Sequence, residues 1–493
     1  MTRSFDAAVP VTVHKFGGTS IADAECLARV ASIVAARPDR PVVVVSAMGG
    51  VTDALIRGAR LAAAQDPQEP RRILTELEAR HAAVARDLLD SAERETFLEH
   101  LDERLDALCR LYESLSVLGE LTSRGRDAVM GFGEQLSAAL LAAVLRAYDL
   151  PAEAVSAATL IVTDDRFGAA SPKVEPTRRR IREHVAPLVA SGAIPVVTGY
   201  IAATETGIPT TLGRSGSDRT AAIVAAGLDA DEVWIWTDVD GILTADPHIV
   251  AGARTLDELS YDEAANLARF GAEVLHPRTI RPVIASAIPL RIVNSFRPEH
   301  PGTRIVPERA PGRNVPPAIV SASGMRLLAI GDCDEARRLL TAARTLQRLS
   351  EAGIDVRMFS QALSDSSLGV VIREQDRDHV LSLLRRESAG EVSANGECVV
   401  RSEEEVALVS VIGGSAGDER GIASHAFAAL GKHAVRVIAV TQAVDGESVS
   451  FCIPASRVED TVRFLHRELG PESTDGRFER RAAPESAARG GSA

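Results

Sequence analysis

The sequence predicts an α/β domain built on a parallel sheet, reaching to about residue 305, followed by two copies of a smaller unit. Three observations carry this. Short apolar runs rich in β-branched residues alternate with longer stretches of helical pattern. The first two runs flank one helical stretch, the arrangement of a βαβ unit. Beyond a proline-rich break, residues 349–372 align with residues 430–453 at a constant offset of 81.

In chain order, the first strand surrounds Val11-Thr12-Val13, and a helix follows over Ile21–Ala36 with Asp23 and Glu25 in its first turn. Pro41–Ser46 (PVVVVS) is a buried strand ended by Ala47-Met48-Gly49-Gly50. Strand, helix, strand implies parallel pairing with a right-handed crossover. Glu69–Ser116 reads as a helical insertion, and a further helix spans Glu134–Tyr148. Strands are expected at Ile194–Val197 and Glu232–Trp236, with a helix over Asp218–Ala226 between them, and one more strand at Ile288–Val293. Residues 306–316 (VPERAPGRNVP) form a linker. In each C-terminal copy a helix end leads to a strand, a Ser/Thr-Gln-Ala turn and another strand, with boundaries expected at 317–390 and 400–470. Residues 471–493 form a disordered tail.

Composition narrows the function. At 493 residues the chain holds roughly two to four domains. With 45% hydrophobic and 25% charged residues it is an ordinary globular protein. A net charge of -13 without a basic stripe, and only 4% aromatics, exclude nucleic acid as a partner. The cysteines, Cys26, Cys109, Cys333, Cys398 and Cys452, lack the paired spacing of a metal or redox motif and read as small hydrophobes in a reducing compartment. Met1–Pro10 lacks a basic region leading into an apolar run, and no stretch is expected to reach the length of a membrane span, so a cytoplasmic location is expected.

Of the 55 basic residues, only Lys15, Lys173 and Lys432 are lysines. Lys15 opens Lys15-Phe16-Gly17-Gly18-Thr19-Ser20 at the end of the first strand. A compact ammonium beside free backbone N–H groups suits a crowded phosphate pocket. A second glycine-rich turn, Gly213-Arg214-Ser215-Gly216-Ser217-Asp218, precedes a helix. A third segment, Trp236–Pro247 (WTDVDGILTADP), carries carboxylates off the end of a strand, a placement that suits ligand polar groups or Mg²⁺ bound to phosphate. His14 and His276 read as structural histidines.

From Val13 to about Ile305 the chain resembles the aspartate kinases of the amino acid kinase family, on KFGGTS, VVVVSAMGGVTDAL, GFGEQLSA, TTLGRSGSDRTAAIVAAGLDA, TDVDGILTADP and FGAEVLHPRTI in the family's order. The C-terminal repeat resembles the tandem ACT domains with which such kinases sense end-product amino acids. The resemblance implies a three-layer αβα sandwich with a mainly parallel sheet and two βαββαβ units. It also implies ATP-dependent phosphorylation of the L-aspartate side chain to 4-phospho-L-aspartate, with Mg²⁺, as the first step of lysine, threonine and methionine biosynthesis. Because the acceptor carboxylate is ionised at neutral pH, no general base is required. By resemblance Lys15 neutralises phosphate charge, with Gly17, Gly18 and Ser217 beside it. Ser46, Ala47 and Thr52 hold the reacting carboxylate. Glu134 pairs with the substrate ammonium, and Arg214 grips the α-carboxylate. Asp218 places the ammonium and Lys15, and Thr237 and Asp238 hold the nucleotide. Gln361, Asp365 and Gln442 are the expected effector contacts; a homodimer or homotetramer is expected. No residues remain for a fused dehydrogenase after the second repeat, so a monofunctional enzyme is expected.

The sequence departs from the family in its nucleotide half. Glu273 stands where the family commonly has Lys, His248 follows Asp246-Pro247 where Arg is frequent, and Leu243 replaces a frequent Tyr. These changes predict either weakened ATP binding or compensation by other arginines, Arg219 and Arg278. They also motivate a rival reading, a degenerate kinase acting as a non-catalytic amino-acid-binding regulator.

Overall fold

Alternating buried strands and amphipathic helices assemble the first part of the chain around an eight-stranded sheet. The computed structural model describes residues 9–270, 277–309, 316–331, 338–361, 367–390, 399–413, 421–443, 446 and 448–469. In space the strands run Ala152–Val155, Ile194–Thr198, Arg40–Val45, Val11–Phe16, Glu232–Thr237, Leu290–Asn294, Thr303–Val306 and Glu258–Ser260. All pairings are parallel except that between Leu290–Asn294 and Thr303–Val306. The central strands are nearly all apolar because both faces of a parallel sheet are covered by helices.

Local chemistry explains most element boundaries. The helix Ala24–Ala35 starts one residue after Asp23, whose carboxylate accepts the N–H of Cys26 at 2.9 Å. The expected single insertion is two helices, Glu69–Leu88 and Ser91–Leu118, because Asp90 caps the second by accepting the N–H groups of Ala92 and Glu93 at 2.9 and 3.0 Å. A small second sheet, Val162–Thr163, Ile201–Thr204 and Pro209–Thr211, was not legible because its strands are only two to four residues long. The helical stretch Ser123–Ala147, interrupted only at Gly131, corrects the expectation that nothing reaches membrane-spanning length. By length and apolar composition it qualifies, but 72% of its most apolar window is buried inside the protein, as a core helix requires.

The described residues form two compact units, and the division does not follow the chain. Leu243–Arg254 groups with the C-terminal unit rather than with the flanking kinase-like residues. In that unit Ala245 sits in a core with Val409, Phe451 and Phe464. The carbonyl of Thr244 accepts the N–H of Ile319 at 2.8 Å, and its hydroxyl meets Nε2 of His466 at 2.9 Å. Arg463 donates to the carbonyl of Ile249 at 3.2 Å.

The two C-terminal repeats share one antiparallel six-stranded sheet, ordered Met358–Gln361, Ser367–Arg373, Ala318–Gly331, Val399–Ile412, Ser448–Pro454 and Ala439–Gln442. Each repeat supplies strand, helix, strand, strand, helix in that order. The fourth strand that completes each βαββαβ unit is the long first strand of the other repeat, since Ala318–Gly331 pairs directly with Val399–Ile412. Of the expected linker, Val306 closes a strand and Arg309 pairs with buried Glu263 at 2.7 Å.

Removing the Asp90 cap by Asp90→Ala should cost about 1 kcal/mol of stability, lowering the thermal midpoint while leaving the helical circular dichroism of the native state unchanged.

Candidate active site

Three strand ends build the site. Phe16 is paired with Val45 on one side and Trp236 on the other, so the turns after all three strands leave the sheet at one level. The turns are locked together. Gly17 donates its N–H to the carbonyl of Trp236 at 3.2 Å, Ser46 to Phe16 at 3.2 Å, and Gly49 to Gly18 at 3.1 Å. A Cβ on Gly18 would lie 2.9 Å from the carbonyl oxygen of Ala47, closer than side-chain carbons approach, so the first turn needs glycine there.

A cavity of about 510 Å³ opens beside these turns. Lys15, Gly18, Ser46, Ala47, Thr52, Glu134, Arg214, Ser217 and Asp218, expected from sequence, all line it. Lys15 Nζ lies 2.6 Å from Asp218 Oδ1, an ion pair whose side chains are each 12% exposed but whose angle is not that of a hydrogen bond. Asp218 sits in the first turn of Gly216–Leu228, where the helix N-terminus favours a carboxylate. Arg214 is exposed between two residues in the left-handed region, Gly213 at φ 78° and Ser215 at φ 53°, and joins no ion pair among the described residues. The tight turn holds its backbone while its guanidinium stays available.

Glu134 is the least ordinary group in the cavity. It lies in the first turn of Phe132–Ala147, is 3% exposed, and its Oε2 has no hydrogen-bond partner. Burial pushes its pKa up to about 8, against the smaller opposing pull of the Ala47 and Glu134 backbone N–H groups. Desolvation therefore outweighs the helix N-terminus here. A neutral acid at pH 7 that ionises once a cation arrives is a ready partner for an ammonium.

Three expected site residues do not line the cavity. Gly17 lies next to it, bonded to Trp236. Thr237 ends its strand with its carbonyl accepting from the Ser295 N–H and hydroxyl, at 2.8 and 3.1 Å, and exposed Asp238 accepts from the Thr237 hydroxyl at 3.2 Å. Neighbouring Asp240 is held by Asn294 and Arg297 at 2.8 and 2.5 Å. Among the described residues no cluster of three His, Cys, Asp or Glu side chains could hold a metal. His248 is exposed, with its N–H on Asp246 at 2.9 Å. Glu273 and His276 lie outside the described residues. His14 is fully buried; Trp236 Nε1 donates to its Nδ1 at 3.1 Å and Thr12 Oγ1 faces its Nε2 at 2.8 Å. Burial lowers its pKa to about 3, which keeps it neutral. In the C-terminal unit Gln361 and exposed Gln442 are the last residues of equivalent strands, and Asp365 lies outside the described residues.

Sequence reasoning missed Tyr200, Met130 and Gly168 in the lining. Tyr200, at φ 66°, carries its hydroxyl to Met130 Sδ at 3.5 Å. Its only sequence signal was its place after the strand ending Val197-Thr198-Gly199.

A sequence model of the amino acid kinase family matches residues 10–294, and one of the ACT domain matches residues 409–469. Over 470 residues the chain is 30% identical to lysine-sensitive aspartokinase 3 of Escherichia coli, covering 93% of this chain and 99% of that protein. The chain belongs to the aspartokinases of the amino acid kinase family. It is thus a phosphotransferase of the class that acts on a carboxyl group. It is 31% identical to chloroplastic aspartokinase 1 of Arabidopsis thaliana, covering 93% of this chain and 80% of the relative. It spans only 50% of the length of a bifunctional aspartokinase/homoserine dehydrogenase of the same plant, at 32% identity. Among solved structures, E. coli aspartokinase III in complex with aspartate and ADP superposes with a TM-score of 0.78 at 29% identity, covering 93% of this chain and 99% of that one. The same enzyme in complex with lysine and aspartate gives a TM-score of 0.77. The expected fold, a mainly parallel sheet with ACT-type repeats, is the one observed.

Glu134 also leaves a mark on stability. Between its ordinary value of 4.5 and about 8 the folded chain holds a proton that the unfolded chain has released, so stability is lost as pH rises through that window. The loss is at most about 1.4 kcal/mol per pH unit. Glu134→Gln abolishes it, so the variant's melting temperature relative to wild type should climb from pH 6 to pH 9. A constant difference would mean that Glu134 is already ionised in the substrate-free protein.

Proposed function

We propose that the chain transfers the γ-phosphoryl group of ATP, delivered with Mg²⁺, to the side-chain carboxylate of L-aspartate. The product is 4-phospho-L-aspartate, the entry to lysine, threonine and methionine biosynthesis. One observation carries the reading. A single cavity holds a buried acid with one unpartnered oxygen, Glu134, an available guanidinium, Arg214, and the Lys15–Asp218 pair. Glu134 receives the α-ammonium and Arg214 the α-carboxylate, as a bidentate pair. That leaves the side-chain carboxylate directed toward Ser46, Ala47, Thr52 and Lys15. Two anions must then be brought together, so catalysis is alignment plus charge neutralisation by Lys15, with Asp218 keeping its ammonium in place. Gly17, Gly18, Ser217, Thr237 and Asp238 take the nucleotide.

The remaining assignments belong to the same reading. Residues 11–305 supply the catalytic domain, and the repeats at 317–390 and 400–470 bind an amino-acid effector through Gln361, Asp365 and Gln442. The complex with lysine of the E. coli relative supports an effector of that class. The enzyme works in the cytoplasm as a homodimer or homotetramer.

Purified protein with ATP, Mg²⁺, aspartate and hydroxylamine should form aspartyl hydroxamate. Aspartate binding without any hydroxamate would instead favour a non-catalytic amino-acid-binding regulator. Lys15→Ala should lower kcat roughly 10²- to 10³-fold with the fold intact by circular dichroism; near wild-type turnover would remove Lys15 from the mechanism. The apparent KM for aspartate should fall as pH rises toward 8, by up to about tenfold per unit, because Glu134 must lose its proton to pair with the ammonium. A KM flat from pH 6 to 8 contradicts that role.

A further inference from the structure

Asp127 has no part in the mechanism above, yet it is the most completely engaged buried carboxylate near the cavity. It lies on the helix Ser123–Met130 and is 1% exposed. Its Oδ2 accepts the N–H of Gly168 at 2.8 Å and the N–H of Thr211 at 3.0 Å, and its Oδ1 accepts the hydroxyl of Thr211 at 2.8 Å. These donors come from two separate segments, the loop at Gly168 and the end of the strand Pro209–Thr211. Gly168 lines the cavity, and Thr211 stands three residues before Arg214 in the turn that presents the guanidinium.

The two loops touch backbone to backbone. The N–H of Ala170 donates to the carbonyl of Thr211 at 2.9 Å, and a Cβ on Gly213 would lie 3.3 Å from the carbonyl oxygen of Gly168. Arg219 Nη1 adds contacts at 3.3 Å to the carbonyls of Ala170 and Leu212. Arg219 thus draws on carbonyls of both segments, whereas Asp127 gathers N–H groups from both. Without an acceptor, the buried N–H of Thr211 would be left unpaired, and the more exposed N–H of Gly168 would lose the partner that ties its loop down.

We infer that Asp127 is a positioning residue for the amino-acid end of the cavity, fixing the loop that carries Arg214 against the loop that carries Gly168. This rests on the proposed role of Arg214 toward the substrate α-carboxylate. The role is geometric, and geometry separates the two obvious variants. In Asp127→Asn the amide oxygen can take both N–H groups while its NH₂ donates to the Thr211 hydroxyl, so every bond survives without the charge. In Asp127→Ala all three donors lose their acceptor.

The test measures KM for aspartate and for ATP, with amide hydrogen exchange of the substrate-free protein at residues 166–172 and 209–216. Asp127→Ala should raise KM for aspartate roughly 10- to 100-fold, leave KM for ATP within about twofold, and speed exchange in both segments. Asp127→Asn should restore all three readouts. Should Asp127→Ala not fold, Thr211→Val removes one donor only, and its aspartate KM should still rise several-fold with ATP unaffected. Equal changes in both KM values, or an Asn variant as impaired as the Ala variant, would overturn the inference. So would unchanged exchange. If the wild-type protein makes no hydroxamate from aspartate, the proposed reaction fails, and the exchange comparison still decides whether Asp127 orders these loops.

Discussion

The level at which the central strand ends is the constraint on which the site depends. Val11–Phe16 is hydrogen-bonded in parallel on both sides, so Phe16, Val45 and Trp236 stand in one row. Parallel neighbours point their carboxyl ends the same way, and every turn that follows must emerge on one edge of the sheet. A one-residue slip of Val11–Phe16 would turn its side chains to the opposite face and carry Lys15 away from Asp218. The buried valines of Arg40–Val45 resist that slip because each has a defined place against covering helices. The site's precision is therefore inherited from packing in the sheet.

Within that frame the charges are arranged economically. Lys15 and Asp218 neutralise each other, Glu134 is kept neutral by burial, and Arg214 faces solvent. The cavity thus avoids burying an uncompensated charge. On the proposed reading an arriving zwitterion supplies the missing partner for Glu134 and for Arg214 at once. A ligand lacking either charged end leaves one of them unsatisfied, which is a physical basis for discrimination.

Much of this was legible in the sequence, and what was not shares a physical cause. Lys15, Arg214 and Asp218 stood out because glycine-rich turns after apolar runs are local signals. Their convergence with Glu134, from a helix more than a hundred residues away from Lys15 and across intervening insertions, was available only through family resemblance. Asp127 left no trace, because one acid in a helix looks like any solvated acid until the fold buries it. The protonation of Glu134 was equally hidden, since it depends on what surrounds the carboxyl rather than on its neighbours in sequence. The shared C-terminal sheet was hidden too. The 81-residue repeat announced two copies, but not that each copy's first strand completes the other.

The segment Leu243–Arg254 bears on how the protein can be divided. Ala245 fills the core of the second repeat, and Thr244 takes both a backbone bond from Ile319 and a side-chain bond with His466. A fragment starting at the proline-rich break would carry both repeats and their whole sheet, yet leave a hole where Ala245 belongs and take away the Thr244 bond to His466. The modules that repetition marks out in the sequence are thus not the modules that can be cut free. Transplanting the repeats onto another protein would have to bring along a dozen residues from the middle of the kinase.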